Sequence, residues 1–153
     1  MYLTKLAVIG VIVLGTVSAA QAATQCYRSE EIEADQAVQF QTKLMVLSDS
    51  CGSQVYSQFT RKNGSVLASY QQKMVGYFRR AEAGKKADAA FDRFITALAN
   101  QEALRVGKEP VAAVCDRSAG FLTQASGFGN EEFRKYVSQQ AVEQKASYQS
   151  CKE

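Results

Sequence analysis

Apolar residues recur at steps of three and four through most of the chain, and the clearest stripe comes first. Ala37, Phe40, Leu44, Leu47 and Cys51 share one face of a helix predicted from Ser29 to Gly52, with Ile32 about a turn ahead of them. Ser29 suits the N-cap, and Glu30, Glu31, Glu33 and Asp35 put negative charge where the backbone N–H groups are unpaired. Gly52 suits a left-handed stop. The acidic run therefore reads as a helix start rather than a metal or substrate site.

Val55, Tyr56 and Phe59 are spaced for a short helix, which Arg61-Lys62-Asn63-Gly64 then breaks; Asn63-Gly64 is a turn signal. Asn63-Gly64-Ser65 also matches an N-glycosylation acceptor, but the turn reading is preferred. Ser65 caps a second long pattern through Leu67, Tyr70, Met74, Tyr77, Phe78 and Ala81, ending near Ala83-Gly84. The next helix runs from about Lys86 to Val106 on Ala87, Phe91, Phe94, Ile95 and Leu98, and Gly107 closes it. Pro110 suits the first turn of a further segment lined by Val111, Val114, Cys115, Ser118, Phe121 and Leu122, weakened in its second half by Gly120. After a loop at Ser126-Gly127-Phe128-Gly129, Asn130, Glu131 and Glu132 open the last helix, with Phe133, Tyr136, Val137, Ala141, Tyr148 and Cys151 inward. Its middle, around Gln139, Gln140, Glu143, Gln144 and Lys145, is polar. No alternating strand pattern follows residue 22. The chain reads as all-α: a single-domain helical bundle of four long helices plus one short helix, with short connections that favour antiparallel neighbours.

The first residues carry a different signal. Lys5, the apolar run from Leu6 to Val17 and the small-x-small site Ala20-Gln21-Ala22 predict a signal peptide over 1–22 and one helical domain over 23–153. The apolar run is short for a bilayer span, and no second run of about 20 apolar residues exists, so the expectation is a soluble protein with no membrane span, exported to the periplasm or secreted. Ala23-Thr24-Gln25 before Cys26 lacks the pattern of a lipid-anchoring site. Losing Lys5 with the signal leaves 17 basic residues against 15 acidic ones, a near balance that predicts no nucleic-acid partner.

All four cysteines, Cys26, Cys51, Cys115 and Cys151, lie beyond the signal, and an even count in an oxidising compartment predicts two disulfides. Three pairings are open, and the first choice is Cys51 with Cys115 and Cys26 with Cys151. Closing a loop across 64 positions is worth about 4 kcal/mol in chain entropy for the first bridge. If each long helix crosses the bundle once, Cys26 falls at the opposite end from the other three, which strains the second bridge. The linker before Ser29 or fraying near Cys151 relieves that strain, and pairing Cys26 with Cys115 and Cys51 with Cys151 stays open.

The chain has no histidine, which removes His-dependent triads, the usual neutral-pH base and the commonest transition-metal ligand. No haem, zinc-protease, Walker or EF-hand motif is present, Gly127-Phe128-Gly129 is only a fragment of a phosphate loop, and neither a cofactor nor a metal is predicted. Carboxylate pairs still suffice for a glycosidase, and Glu102, Glu109, Asp92 and Asp116 are the candidates. Asp92 and Asp88 sit close to Arg93 and Lys85, as ordinary surface pairs do, and Asp116 is the one to check for burial. Tyr77, Phe78, Arg79, Arg80, Lys85 and Lys86 mix aromatic and basic residues at a helix connection and form a candidate binding patch, although such clusters usually serve a helix C-terminus.

Cys26-Tyr27-Arg28, Gln41-Thr42-Lys43-Leu44-Met45-Val46 leading to Cys51, Phe91-Asp92-Arg93-Phe94 with Leu98-Ala99-Asn100, and late Cys115 and Cys151 follow one another in an order that resembles small exported four-cysteine helical proteins of Gram-negative bacteria, a group with no assigned function. The resemblance implies a periplasmic or secreted setting and carries over no functional residue. The expectation is a non-catalytic exported helical domain that binds a protein or an envelope component. The alternative is a small carboxylate-dependent cell-wall hydrolase. A metal or stress-sensing binder is weaker, with only Met45 and Met74 left after the signal.

Overall fold

A computed structural model describes residues 26–81 and 86–152. The predicted signal peptide, Glu82 to Lys85 and the helix end assigned to Ala83-Gly84 lie outside the described residues. Those described residues form α1 (Ser29–Ser50), α2 (Val55–Ala81), α3 (Ala87–Val106), α4 (Val111–Gly127) and α5 (Asn130–Gln144), followed by one 3-10 turn over Lys145–Ser147. The all-α architecture braced by two disulfides is as the pattern predicts. The segmentation differs from it in three places.

The first difference is α1, which packs against all four other helices and is therefore buried well beyond the predicted stripe. Ile32, Ala34 and Val38 are buried along with Ala37, Phe40, Leu44 and Leu47. The start of α1 is capped differently from expectation: Arg28, not Ser29, occupies the N-cap, and its backbone N–H donates to Glu31 Oε2 at 2.9 Å. At the other end Gly52 has φ +60°, Ser53 N donates to Ser48 O at 2.8 Å and Gly52 N to Asp49 O at 3.1 Å. That pair of bonds is a Schellman stop, the role predicted for Gly52.

Second, there is no break at Asn63-Gly64 and no cap at Ser65. A single 27-residue helix runs through them, and the short helix over Val55 to Phe59 is its beginning. Its buried face reads Phe59, Asn63, Val66, Leu67, Tyr70 and Met74, so Asn63 occupies a core position of one continuous stripe. The Asn63 amide donates to Phe59 O at 3.0 Å inside its own helix and to Phe128 O at 3.2 Å across the bundle. A tertiary hydrogen bond has thus overridden the local turn preference of the dipeptide.

The third difference is at the C-terminal end. α4 runs on through Ser126-Gly127, and α5 stops at Gln144 rather than reaching Cys151. Beyond Ala141 no buried apolar residue supports further helix. Instead the tail pairs with the segment before α1: Tyr27 N donates to Gln149 O at 2.8 Å and Cys151 N to Tyr27 O at 2.9 Å. This return closes Cys26–Cys151, with a Cα separation of 4.8 Å, while Cys51–Cys115 ties the end of α1 to α4 at 5.6 Å. Both bridges are those of the first-choice pairing. The unravelled tail removes the strain expected for the second.

Two glycine substitutions should have opposite signs. Gly52→Ala forces a side chain into a left-handed conformation and should cost about 1 kcal/mol. Gly64→Ala sits mid-helix, where an added Cβ meets nothing within 4 Å, and should gain about 0.5–1 kcal/mol. Urea unfolding of both variants checks the signs; a loss for Gly64→Ala would mean that the long helix is interrupted there after all.

Candidate functional site

The polar side of α1 is its least covered part, because α3 lies along one flank and the α4–α5 pair along the other. Between those flanks opens a cleft of about 780 Å³, within the range of small-ligand sites. Gln36, Gln39 and Lys43 follow one another on α1 at helical spacing and form one wall. Asn100, Gln101 and Glu102 of α3 face them, Gln140 comes from α5, and Phe40, Phe121 and Tyr136 lie at the base. Lys43 Nζ stands 4.7 Å from the centre of the Phe121 ring, a cation–π contact that keeps the ammonium at the opening.

One end of the cleft is fixed by a buried polar network. Asp35 is 4% exposed, and its Oδ2 accepts from the Tyr148 hydroxyl at 2.5 Å and from Gln39 Nε2 at 3.0 Å. Gln36 Nε2 donates to the same hydroxyl at 2.6 Å. The C-terminal tail thus orients two of the carboxamides that line the cleft. Asp35 Oδ1 is buried with no hydrogen-bond partner, and burial raises the Asp35 pKa, although Tyr148 and Gln39 act in the other direction. Burial also raises the Tyr148 and Tyr27 hydroxyls, so both stay protonated.

The predicted binding patch is divided among structural roles. Tyr77 stacks on Tyr27 with ring centres 4.2 Å apart, and Phe78 packs against Phe94 at 5.5 Å. Arg80 forms an ion pair with buried Glu31 and donates to Cys26 O at 3.2 Å. Arg79 and Lys86 are exposed, and Lys85 lies outside the described residues. The acidic start of α1 therefore does more than complement the helix dipole. Glu31 takes Arg80, Glu33 accepts from the Tyr70 hydroxyl at 2.5 Å, and Asp35 anchors the tail.

The candidate acids do not gather in one place. Glu102 lines the cleft and is held by Arg105 at 2.9 and 2.5 Å. Glu109 pairs with Arg117, which keeps its carboxyl below the usual range, the opposite of what a general acid needs. Asp116 is exposed, and Asp92 lines a separate, smaller hollow beside α2. Among the described residues no set of three acidic or cysteine side chains is placed to hold a metal ion. The carboxamides that do converge carry no motif. Their only trace in the sequence is the polar face Gln36, Gln39 and Lys43 of α1, and the partners on α3 and α5 appear only once the helices are placed. Protein families, curated proteins and solved structures contain no match to this chain.

Glu31 and Asp35 should respond oppositely to acid. Burial tends to raise Glu31, but Arg80 and the Arg28 backbone N–H outweigh it and lower the native pKa; its stabilising effect is full above the ordinary carboxylate range and is lost as pH falls through that lowered value. Asp35 binds its proton more tightly in the native state, so its contribution grows as pH falls through the raised value and is complete below about 4. Urea unfolding between neutral and acidic pH should show wild type losing stability relative to Glu31→Gln and gaining it relative to Asp35→Asn. Parallel curves would refute both assignments.

Proposed function

We propose that this chain is a non-catalytic exported binding domain whose ligand is a protein or an envelope component, and that the cleft beside α1 is its recognition surface. The observation that carries this reading is the lining: carboxamides from three helices around half-buried rings, with a single carboxylate already held by arginine. Carboxamides neither attack nor transfer protons near neutral pH, but each presents a donor pair and an acceptor in fixed geometry. That is equipment for recognition. Export is supported by the two disulfides, which persist in oxidising compartments, and by the signal pattern before residue 23. No helix among the described residues is long and apolar enough to cross a membrane.

The hydrolase alternative requires two carboxylates across one cleft. Among the described residues Glu102 is the only acid lining this one, so no observation favours that reading over binding.

The test is retention of the oxidised protein on separated envelope fractions. Gln101 and Leu104 are exposed and line the cleft, with Leu104 70% accessible, so replacing both with glutamate leaves the core untouched. The wild type should be retained by one fraction, and the double variant at least about tenfold less, a loss of about 1.4 kcal/mol. Equal retention of the two proteins would overturn the assignment of the cleft.

A further inference from the structure

The cleft carries more positive than negative charge. Among the described residues Lys43, Arg105 and Lys108 line it against Glu102 alone, and Glu102 already neutralises Arg105. Among the described residues Lys43 and Lys108 form no ion pair, leaving two ammonium groups at the opening. The complementary ligand is therefore anionic. Its remaining surface must be rich in hydroxyls or amides, because Gln36, Gln39, Asn100, Gln101 and Gln140 surround the same opening. Gln39 directs its amide N–H groups to Asp35 and Tyr148, while Gln36 and Gln140 each give one of their two, to Tyr148 and, at 3.0 Å, to Glu143. Their side-chain carbonyls remain as acceptors and call for a ligand that donates. Beneath them Phe121 already faces Lys43, and the half-buried Tyr136 ring offers the negative side of its quadrupole, which attracts polarised C–H groups.

An acidic peptide meets the charge but fits the rest poorly. Grooves that bind helices present a continuous apolar stripe, and those that bind strands offer a sheet edge. Here Phe40 sits among Gln36, Gln39 and Lys43 on α1, and Asn100, Gln101 and Glu102 separate Leu98 from Leu104 on α3, so neither wall is a continuous apolar stripe, and the elements around the cleft are all helices. It extends about 10 Å along α1, suited to a few linked rings. Hydroxyl donors, C–H faces and carboxylates occur together in uronic acids and related acidic sugars. We propose that the cleft binds a carboxylate-bearing oligosaccharide, with Lys43 and Lys108 taking the carboxylates and the carboxamides taking ring hydroxyls. The inference rests on the cleft being the recognition surface.

The experiment titrates the oxidised, isotope-labelled protein with oligogalacturonate, with its methyl ester and with short poly-glutamate, reading backbone and carboxamide NMR shifts alongside calorimetry. Oligogalacturonate should shift the side-chain amides of Asn100, Gln101 and Gln140, and the ester should bind at least about tenfold more weakly. Lys108→Ala and Gln101→Ala, both at exposed positions, should each weaken binding about tenfold without moving the thermal midpoint. Affinity should fall with salt. Equal binding of the ester would overturn the charge argument. Poly-glutamate shifting the same amides while the sugar does not would overturn the sugar and leave the recognition surface standing. Failure of all three ligands to shift cleft resonances would overturn the proposal, with envelope retention then deciding separately whether the surface binds anything else.

Discussion

The structure depends on burying Phe40. Its ring, 6% exposed, lies 5.0–5.8 Å from the rings of Phe59, Phe121, Phe128, Phe133 and Tyr136. Those rings come from α2, α4, the α4–α5 connection and α5, so one side chain of α1 gathers three other helices. Tilted and edge-on contacts of this kind add about 0.5–1.5 kcal/mol per pair beyond the area they bury. The rest follows from placing α1 in the centre. Leu47, Val106 and Val114 close one end beside Cys51–Cys115, while Glu31–Arg80 and the returning tail close the other.

That arrangement also produces the cleft. A central helix within a bundle of this size cannot be wrapped completely by four neighbours. α1 buries Phe40 and Leu44 toward α2, α4 and α5 and turns Gln36, Gln39 and Lys43 into the gap between α3 and the α4–α5 pair. Core and site are therefore adjoining stripes of one helix, with Phe40 shared between them. Neighbouring positions on α1, Gln39 beside Phe40 and Lys43 beside Leu44, divide recognition from stability. The tail joins the two roles, since Tyr148 donates to Oδ2 of buried Asp35 and at the same time orients Gln36 and Gln39.

Much of the fold was legible because it depends on local periodicity. The apolar stripe of α1, the Gly52 stop and the even cysteine count each have a local physical cause, and the structure bears out all three. What failed were places where a distant contact decides. Asn63 reads as a turn residue until Phe128 O accepts its amide, and Tyr148 and Cys151 read as helix positions until Asp35 and Cys26 draw the tail away. The site was the least legible part. Carboxylates and basic-aromatic clusters attract attention in a sequence, yet here Arg80, Tyr77 and Glu109 have structural partners. The residues that converge are glutamines and asparagines, whose significance is their position in space.

If α1 is the element to which the others are fastened, its backbone should be the last to open. Native-state hydrogen exchange measures this directly. Amides of α1 from about Ala37 to Leu47 should exchange only through global unfolding, with the same free energy as urea denaturation. Those of α3, where only Ala87, Ala90 and Val106 are buried, should exchange through smaller openings. Exchange of α1 as fast as that of α3 would contradict the account.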